Sequence, residues 1–460
     1  MKLSAKRAKR KQKEQKRRRK NLLRQSKCSY CKARINKKPV HITYSKGRFK
    51  KYQSLVSKRK VAVILFGAGA AKAWGGSLTS EIDTIIKSDT KYSTLTDNRP
   101  VGEFIWKKLE DFYGVENCVN FETFLGVLEF LVDYIFSKTN EGGTSPMNTS
   151  FIPVVSSLHS WCSELKGKSG ASVEDRIFYA ELLKYYYSLV ANKVDDYFGA
   201  INGIDNIQLN SSLIKYIGYL KTSGYTIRAY TTNYDRLFPL VLRAKFQVFD
   251  GFNLKDSEEY YSSYNYDVDK ILNDKDCFTY YNLHGCLHWG RSFNLSHLGY
   301  RFFCTPNQKH SRLEFRSLET ANPGHAILPI NIVTGYNKVQ RLSIEPLILF
   351  YNSFISDCNN AAFLITAGYS FGDYHINRAL SLGIQKSHAK HLHISFNNNP
   401  SEYLLSMEFQ AIRDIQRNSN GFLRITDDPK WLKSDDVNHR RKEYLNGFKE
   451  FLINQEWLSK

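Results

Sequence analysis

The sequence lacks an apolar run long enough to cross a membrane. A membrane helix needs about 18 or more such residues, and VAVILFGAGA at residues 61–70 is shorter and ends in glycines. No apolar segment follows the basic residues at the N-terminus, so no secretory signal is predicted. We therefore expect a cytoplasmic protein that does not associate with membranes.

Closely spaced cysteines are also scarce. Of the eight cysteines, Cys28 and Cys31 form the one pair separated by two residues, and His41 follows. A structural zinc site takes four ligands, and only these three candidates are present, so we predict no metal site but keep Cys28, Cys31 and His41 as weak candidates. The other cysteines are scattered, which is typical of reduced thiols in a cytosolic protein.

Acidic residues are nearly absent from the first 60 positions, where Glu14 is the one exception. This segment holds 25 of the 66 Lys and Arg residues, a net charge of +24, so the remaining 400 residues carry a net charge of −2. We divide off residues 1–59 as a basic arm. Residues 1–27 could be a solvated tail, or they could bind nucleic acid through its phosphates; the sequence leaves both open.

Four short segments, each after an apolar run typical of a strand, are the most informative feature that is present. They are Gly67-Ala68-Gly69-Ala70, Thr231-Thr232-Asn233-Tyr234-Asp235, Leu283-His284-Gly285 and Gly368-Tyr369-Ser370-Phe371-Gly372-Asp373. The carboxyl ends of parallel strands open on one crevice where ligands bind. The pattern predicts an α/β fold with a Rossmann-like parallel sheet and these segments at a shared site.

The glycine turn at residue 67 favours a phosphate, because backbone can approach closely there and a helix begins just after it. It is not a dehydrogenase fingerprint, since Lys72 stands at the third glycine of G-x-G-x-x-G. Further strands are predicted at 225–230, 278–283, 326–334, 361–367 and 391–396.

A large helical insertion is predicted at about 100–220. Phe121, Leu125, Leu128, Val132 and Ile135 recur at helical spacing, with Glu122, Glu129 and Asp133 between them. We expect one domain at 60–400 that contains the insertion, followed by a C-terminal helical segment at 401–460. In that segment Tyr444, Phe448, Phe451 and Leu452 share one side of an amphipathic pattern.

The four segments and their order resemble the sirtuin-like NAD-consuming domain, in the diverged branch found in bacterial antiphage defence proteins. The resemblance runs from about Lys60 to about Asn399. It implies NAD as the substrate and no metal in catalysis. The catalytic residues it implies are Asn233, which orients water and the nicotinamide ribose, and His284, which acts as a base. The NAD-binding residues it implies are Gly67, Ala68, Gly69, Ala70, Thr232, Asp235, Gly368 and Ser370.

The residues themselves leave other interpretations open. Asn233 and Asp235 could cap a helix that begins near Arg236, and His284 could be a core histidine. Asp373 and His375 could cap the next helix, so we leave them out of the catalytic set.

Two departures from the family pattern bear on activity. Ala71 stands where the family usually has serine, which removes one hydroxyl from the ligand shell. Between His284 and Gly368 the chain has only Cys286, Cys304 and Cys358, whereas deacylases of the family carry two zinc-binding cysteine pairs there. Protein deacylation is therefore the least expected activity.

We expect an NAD hydrolase that forms ADP-ribose and nicotinamide and acts as an antiphage effector by depleting cellular NAD. The resemblance further implies a homo-oligomer and a partner ATPase or sensor protein. The alternatives are a non-catalytic NAD or ADP-ribose sensor, suggested by Ala71, and a nucleic-acid-associated protein that acts through residues 1–27.

Overall fold

The structure, a computed structural model, describes residues 60–114, 119–137, 160–161, 163–165, 173–195, 204–252, 266–274, 276–294, 299–304, 331–334, 338, 342–387, 389–395, 410–413, 423–425, 431–434 and 441–458. Contacts within the chain define two units, Met1–Lys58 and Arg59–Lys460. The basic arm, including Cys28, Cys31 and His41, lies outside the described residues. The loop at 138–150 lies outside them as well.

A central sheet of eight strands organises the described part of the chain. The strands in chain order are β1 (Lys60–Phe66), β2 (Tyr225–Thr231), β3 (Thr279–Asn282), β6 (Ala361–Ala367), β7 (Lys390–Ile394), β8 (Leu423–Ile425), β9 (Trp431–Ser434) and β10 (Arg441–Tyr444). Their order in space is β3-β2-β1-β6-β7-β10-β9-β8. The first six strands in this spatial order are parallel to one another. Strand β9 is antiparallel to β10, and β8 is antiparallel to β9. The predicted Rossmann-like α/β class is thereby confirmed.

Burial explains why β1 lies in the middle of this sheet. Ala62 to Phe66 are at most 1% exposed, as expected for a strand that is covered on both faces. Val63 and Leu65 enter the core on one face, and Ala62, Ile64 and Phe66 enter the core on the other. The alternation follows from the two-residue period of a strand.

Strand register brings the predicted loops together. Phe66, at the end of β1, pairs with Thr231 of β2 on one side and with Ala367 of β6 on the other. Thr231 in turn pairs with Asn282 of β3. Four strands therefore end at one level, and the segments that follow them emerge side by side.

The helices lie between and after these strands. They are α1 (Ala68–Ala71, continued by a 3-10 turn at Lys72–Trp74), α2 (Thr79–Ser88), α3 (Val101–Tyr113), α4 (Phe121–Ser137), α5 (Val173–Asp195), α6 (Ile204–Thr222), α7 (Leu237–Arg243), α8 (Val268–Asn273), α9 (Leu347–Asn360), α10 (Tyr374–Ser387) and α11 (Gly447–Ile453). No helix of the described ranges is long and apolar enough to cross a membrane.

The helical insertion begins earlier than expected, at α2, and runs to α6. It has its own apolar core, in which Phe124, Leu128, Leu183 and Tyr186 are almost fully buried. Tyr234, Leu287 and Ile332, from loops beside the sheet, join the same core. The insertion therefore packs over the carboxyl ends of the strands.

One polar position of the insertion differs from the sequence pattern. Glu129 was expected among the polar residues of its helix, yet it is 3% exposed. Its carboxylate accepts a hydrogen bond from the Tyr187 hydroxyl. A hydrogen-bonded partner on α5 makes burial of this acid tolerable.

The C-terminal segment at 401–460 is not purely helical, which corrects the prediction. It contributes three strands, and β10 pairs with β7 in the parallel sheet. Tyr444 belongs to the end of β10, whereas Phe448, Phe451 and Leu452 belong to α11. All four are buried, so the apolar pattern was real but spanned two kinds of element.

One other strand prediction needs correction, and one pair of strands was not predicted. Residues 331–334 form no strand; they make one isolated bridge, between Ile332 and Gly285, and 326–330 lie outside the described residues. A hairpin of β4 (Trp289–Asn294) and β5 (Gly299–Cys304) was not predicted, because its residues do not form an apolar run.

Candidate active site

The turns after β1 and β6 contact each other backbone to backbone. Gly67 N–H donates to the Ala367 carbonyl and Gly69 N–H to the Gly368 carbonyl, both at 2.9 Å. A Cβ atom on Gly67 would lie 2.5 Å from the Gly368 oxygen, and Gly368 itself has φ +57°. Glycine is required for this approach, and the two turns form one continuous wall.

The segment after β2 is fixed to the turn after β1. Thr232 N–H donates to the Phe66 carbonyl at 3.1 Å, and Asn233 Nδ2 donates to the Gly67 carbonyl at 3.2 Å. Asn282 Nδ2, at the end of β3, donates to the carbonyls of Asn233 and Asp235. Asn233 is 7% exposed, so its amide is held rigidly at the junction of three strands.

Asp235 performs the capping role that residue type alone suggested. Its Oδ1 accepts a hydrogen bond of 2.8 Å from the backbone N–H of Leu237, where α7 begins. The side chain is almost completely buried and also lines the cavity described below. Asn233 makes no such cap among the hydrogen bonds of the described residues.

His284 follows β3 and is fixed by a neighbouring segment. Its carbonyl accepts a 2.7 Å hydrogen bond from Val333 N–H, and Cys286 N–H donates to the Asn331 carbonyl. Gly285 has φ +82°, and a Cβ there would lie 2.2 Å from the Asn331 oxygen. Glycine after the histidine is therefore a requirement of this turn.

The imidazole of His284 is neutral at physiological pH. Burial lowers its pKa from 6.5 to about 3, and the positive charge of Lys338 acts in the same direction. Asp373 acts in the opposite direction, as does a hydrogen bond with the backbone of Thr232. A neutral imidazole offers the lone pair that a general base needs. A pKa of about 3 makes His284 a weak base, however, unless neighbouring negative charge stabilises its protonated form.

A charged cluster surrounds this imidazole, and we call it the Lys338 cluster. It consists of Glu122, His284, Lys338, Asp373 and His375. Lys338 Nζ lies 3.0 Å from Glu122 and 2.5 Å from Asp373 Oδ1. His284 Nε2 lies 3.4 Å from His375 Nε2 and 3.9 Å from Asp373 Oδ1.

The charges in the cluster support one another. Burial alone would raise the pKa of Asp373, but His284 and Lys338 outweigh it and the pKa is lowered. Burial alone would lower the pKa of Lys338, but Glu122 and Asp373 raise it. Burial also lowers the pKa of His375. The Lys338 ammonium and the Asp373 carboxylate are therefore ionised, both imidazoles are neutral, and Glu122 forms the second ion pair of the ammonium.

Local sequence does not single out these partners. Asp373 and His375 follow a glycine turn, where such residues can cap the next helix, and Glu122 lies among the polar residues of α4. Lys338 carries no local signal, because a single lysine in a polar stretch is ordinary. Only the tertiary structure brings the four to His284.

A cavity of about 640 Å³ lies between the strand ends and the helical insertion. Nearly all the residues named from the sequence line it: Gly67, Ala68, Gly69, Thr232, Asn233, Asp235, His284, Gly368 and Ser370. Ala70 is the exception; it is fully buried behind the wall, and Ala71 lines the cavity instead. The insertion closes the opposite side with Asp83, Asn120, Phe121, Glu122 and Val194.

Two polar features of the cavity wall were not predicted. Ser77, Thr79 and Ser80, at and near the start of α2, line the cavity as well. Asp83 accepts a 2.7 Å hydrogen bond from Phe121 N–H. Burial raises the pKa of Asp83 to about 6.

His284, Asp373 and His375 have donor atoms within 4.8 Å of one another, a spacing that could hold a metal ion. The ammonium of Lys338 already neutralises Asp373 at the oxygen nearest His284. The ammonium and a metal ion would therefore compete for this carboxylate. Burial raises the pKa of the Cys286 and Cys304 thiols.

A model of the SIR2-like domain family matches residues 228–416. The match confirms the resemblance to a sirtuin-like domain and indicates NAD-related activity. It includes Asn233, His284 and Ser370, but the glycine turn at residue 67 precedes it; strand order alone brings that turn to the site. A search of the curated proteins finds no match to this chain.

Proposed function

We propose that this protein is an NAD glycohydrolase, which cleaves NAD with water to ADP-ribose and nicotinamide. The observation that carries the proposal is the convergence of Asn233, His284 and the glycine turns on one cavity. A volume of about 640 Å³ falls within the range that protein pockets offer to ligands, about 300–1,000 Å³.

The geometry suits the chemistry of the nicotinamide bond. Nicotinamide leaves as a neutral molecule, so the leaving group needs no general acid. Water must lose a proton as its oxygen bonds to the anomeric carbon, and the neutral His284 imidazole can accept that proton. Asn233 orients the water and the ribose. The ionised cluster has a net charge of −1, which favours positive charge that develops on the ribose.

We further propose that this enzyme acts in antiphage defence. Unrestrained NAD cleavage would harm the host cell, so such an enzyme must be held inactive until infection. A homo-oligomer and a partner ATPase or sensor protein are the proposed means of control. Phage challenge of bacteria that express the chain, with cellular NAD measured over time, tests this extension; unchanged NAD levels would contradict it.

Incubating the purified protein with NAD and quantifying nicotinamide tests the activity itself. We expect turnover by the wild type and a loss of at least about a hundredfold in His284→Ala and Asn233→Ala, in line with removal of a base or an orienting group. Leu458→Ala, at a residue 60% exposed and outside the cavity, is the matched control. Equal turnover by His284→Ala and the wild type would rule out the proposal.

Ala71 favours a second candidate, a sensor that binds NAD or ADP-ribose without cleaving it. The cavity wall has a methyl group where a hydroxyl would contact the ligand. Such a sensor would be stabilised by NAD against heat while forming no nicotinamide. The turnover experiment distinguishes the two candidates directly.

The charge of the basic arm favours a further role in binding nucleic acid. A net charge of +24 in residues 1–60 would attract phosphates and give an affinity that falls steeply with salt. Deleting residues 1–27 should abolish such binding. Measuring NAD turnover with and without DNA would show whether the arm controls the active site.

A further inference from the structure

Asp373 lies where it can act on His284. The carboxylate follows the turn after β6, and its Oδ1 is 3.9 Å from His284 Nε2. Both side chains line the cavity. At this distance a carboxylate favours the protonated imidazole without being hydrogen-bonded to it.

The orientation of His284 is set from two sides. The ring is hydrogen-bonded to the backbone of Thr232, while Nε2 faces His375 Nε2 at 3.4 Å. His375 is held in turn, because its carbonyl accepts a 2.9 Å hydrogen bond from the Tyr351 hydroxyl and its ring contacts that of Tyr351 edge-on. Nε2 is therefore the nitrogen directed at Asp373.

When His284 takes up a proton, the net charge of the Lys338 cluster moves towards zero. Two carboxylates and one ammonium give the cluster a net charge of −1, so an imidazolium brings it to zero. The burial of Lys338 and Asp373 makes this compensation stronger than it would be in water.

Lys338 connects Asp373 to the helical insertion. Its ammonium contacts Asp373 on one side and Glu122 of α4 on the other. Glu122 is further held by the Tyr234 hydroxyl at 3.1 Å. The groups that face His284 are thus Lys338, Asp373 and His375, with Glu122, Tyr234 and Tyr369 around them.

We propose that Asp373 is a positioning residue that balances the charge His284 gains on protonation, and that Lys338, anchored by Glu122, holds Asp373 in place. The helical insertion thereby completes the active site as well as covering it. The catalytic part of this inference rests on the proposed NAD cleavage.

The first test follows the protonation of His284 and needs no turnover. Imidazole signals of the full-length protein are recorded by NMR against pH and assigned with His284→Gln. In Lys338→Met the freed carboxylates should raise the titration midpoint of His284 by at least about two pH units. Lys338→Met/Asp373→Asn should bring it back down. Lys107→Met, at an exposed ion pair on α3, is the matched control, and an unmoved midpoint in Lys338→Met would overturn the proposal.

The second test uses NAD turnover. Asp373→Asn should lower kcat by at least about tenfold with the KM for NAD changed less than about threefold, because the charge balance matters most as the proton moves. Asp373→Glu should recover part of kcat. In Lys338→Met the acidic limb of kcat should move to higher pH. Wild-type kcat in Asp373→Asn would overturn the inference, whereas no turnover by the wild type would overturn only the proposed function.

Discussion

Small residues at the cavity wall decide how closely a ligand can approach. Ala71 is 3% exposed and lines the cavity, whereas Ala70 is fully buried just behind it. Ser77, Thr79 and Ser80 also line the cavity. Position 71 is therefore one of several small or polar residues on this part of the wall.

Placing a hydroxyl at position 71 tests the contribution of this residue. Ala71→Ser should tighten NAD binding by about fivefold, since one added hydrogen bond contributes about 1 kcal/mol. Ala70→Ser, one residue away but behind the wall, should give no gain in affinity. Calorimetry on both variants in a His284→Ala background measures the NAD affinity without turnover. Weaker binding by Ala71→Ser than by its parent would contradict the prediction.

At the scale of elements, the site depends on how turns after different strands fit against one another. The turns after β1 and β6 share hydrogen bonds, and those after β2 and β3 are joined through Asn282. A change in one turn must therefore displace the next. The requirement is most severe at Gly368, where a Cβ would lie 2.0 Å from the Ala70 nitrogen.

Two glycine substitutions distinguish the cost of the steric clash between the turns from the cost of a side chain at positive φ. Gly224→Ala, at φ +85° with open space around it, should lower the free energy of unfolding by about 1–2 kcal/mol. Gly368→Ala combines positive φ with the steric clash, so it should cost more than about 3 kcal/mol and abolish NAD binding. Urea unfolding and NAD titration of both variants measure this, and equal costs would show that the two turns are not tightly packed.

At the scale of the whole molecule, burial of ionisable groups links stability to pH. Folded His284 has a pKa of about 3 against its ordinary 6.5. Between those values the unfolded chain binds a proton that the folded chain does not, so the free energy of unfolding falls as pH drops. Asp83, with a pKa raised to about 6 from 3.8, acts oppositely, because its folded form holds the proton.

Because His284 and Asp83 change the free energy of unfolding in opposite directions as pH falls, substitutions of the two residues serve as controls for each other. Relative to the wild type, His284→Gln should lose less stability on acidification from pH 6.5 to 4.5, by up to about 1.4 kcal/mol per pH unit. Asp83→Asn should lose more than the wild type over the same interval. Urea unfolding at four pH values measures both, and parallel curves for all three proteins would show that neither group is perturbed by folding.

Much of the fold was accessible from local sequence. Six apolar residues before Gly67 predicted a strand covered on both faces, and helical spacing predicted α4. The apolar pattern around Tyr444 and Phe451 was also visible, but a short strand followed by a short helix mimics one amphipathic helix. The β4–β5 hairpin was missed because its residues form no apolar run.

The sequence by itself determined which residues follow the strand ends, and with them Asn233, His284 and the glycine turns. Those signals are local: an apolar run, a turn and a polar side chain within a few residues. Only the tertiary structure decided the Lys338 cluster. Glu122, Lys338 and Asp373 are far apart in the chain and ordinary in their local context, and they become a unit because burial at the strand ends makes each charge require the others.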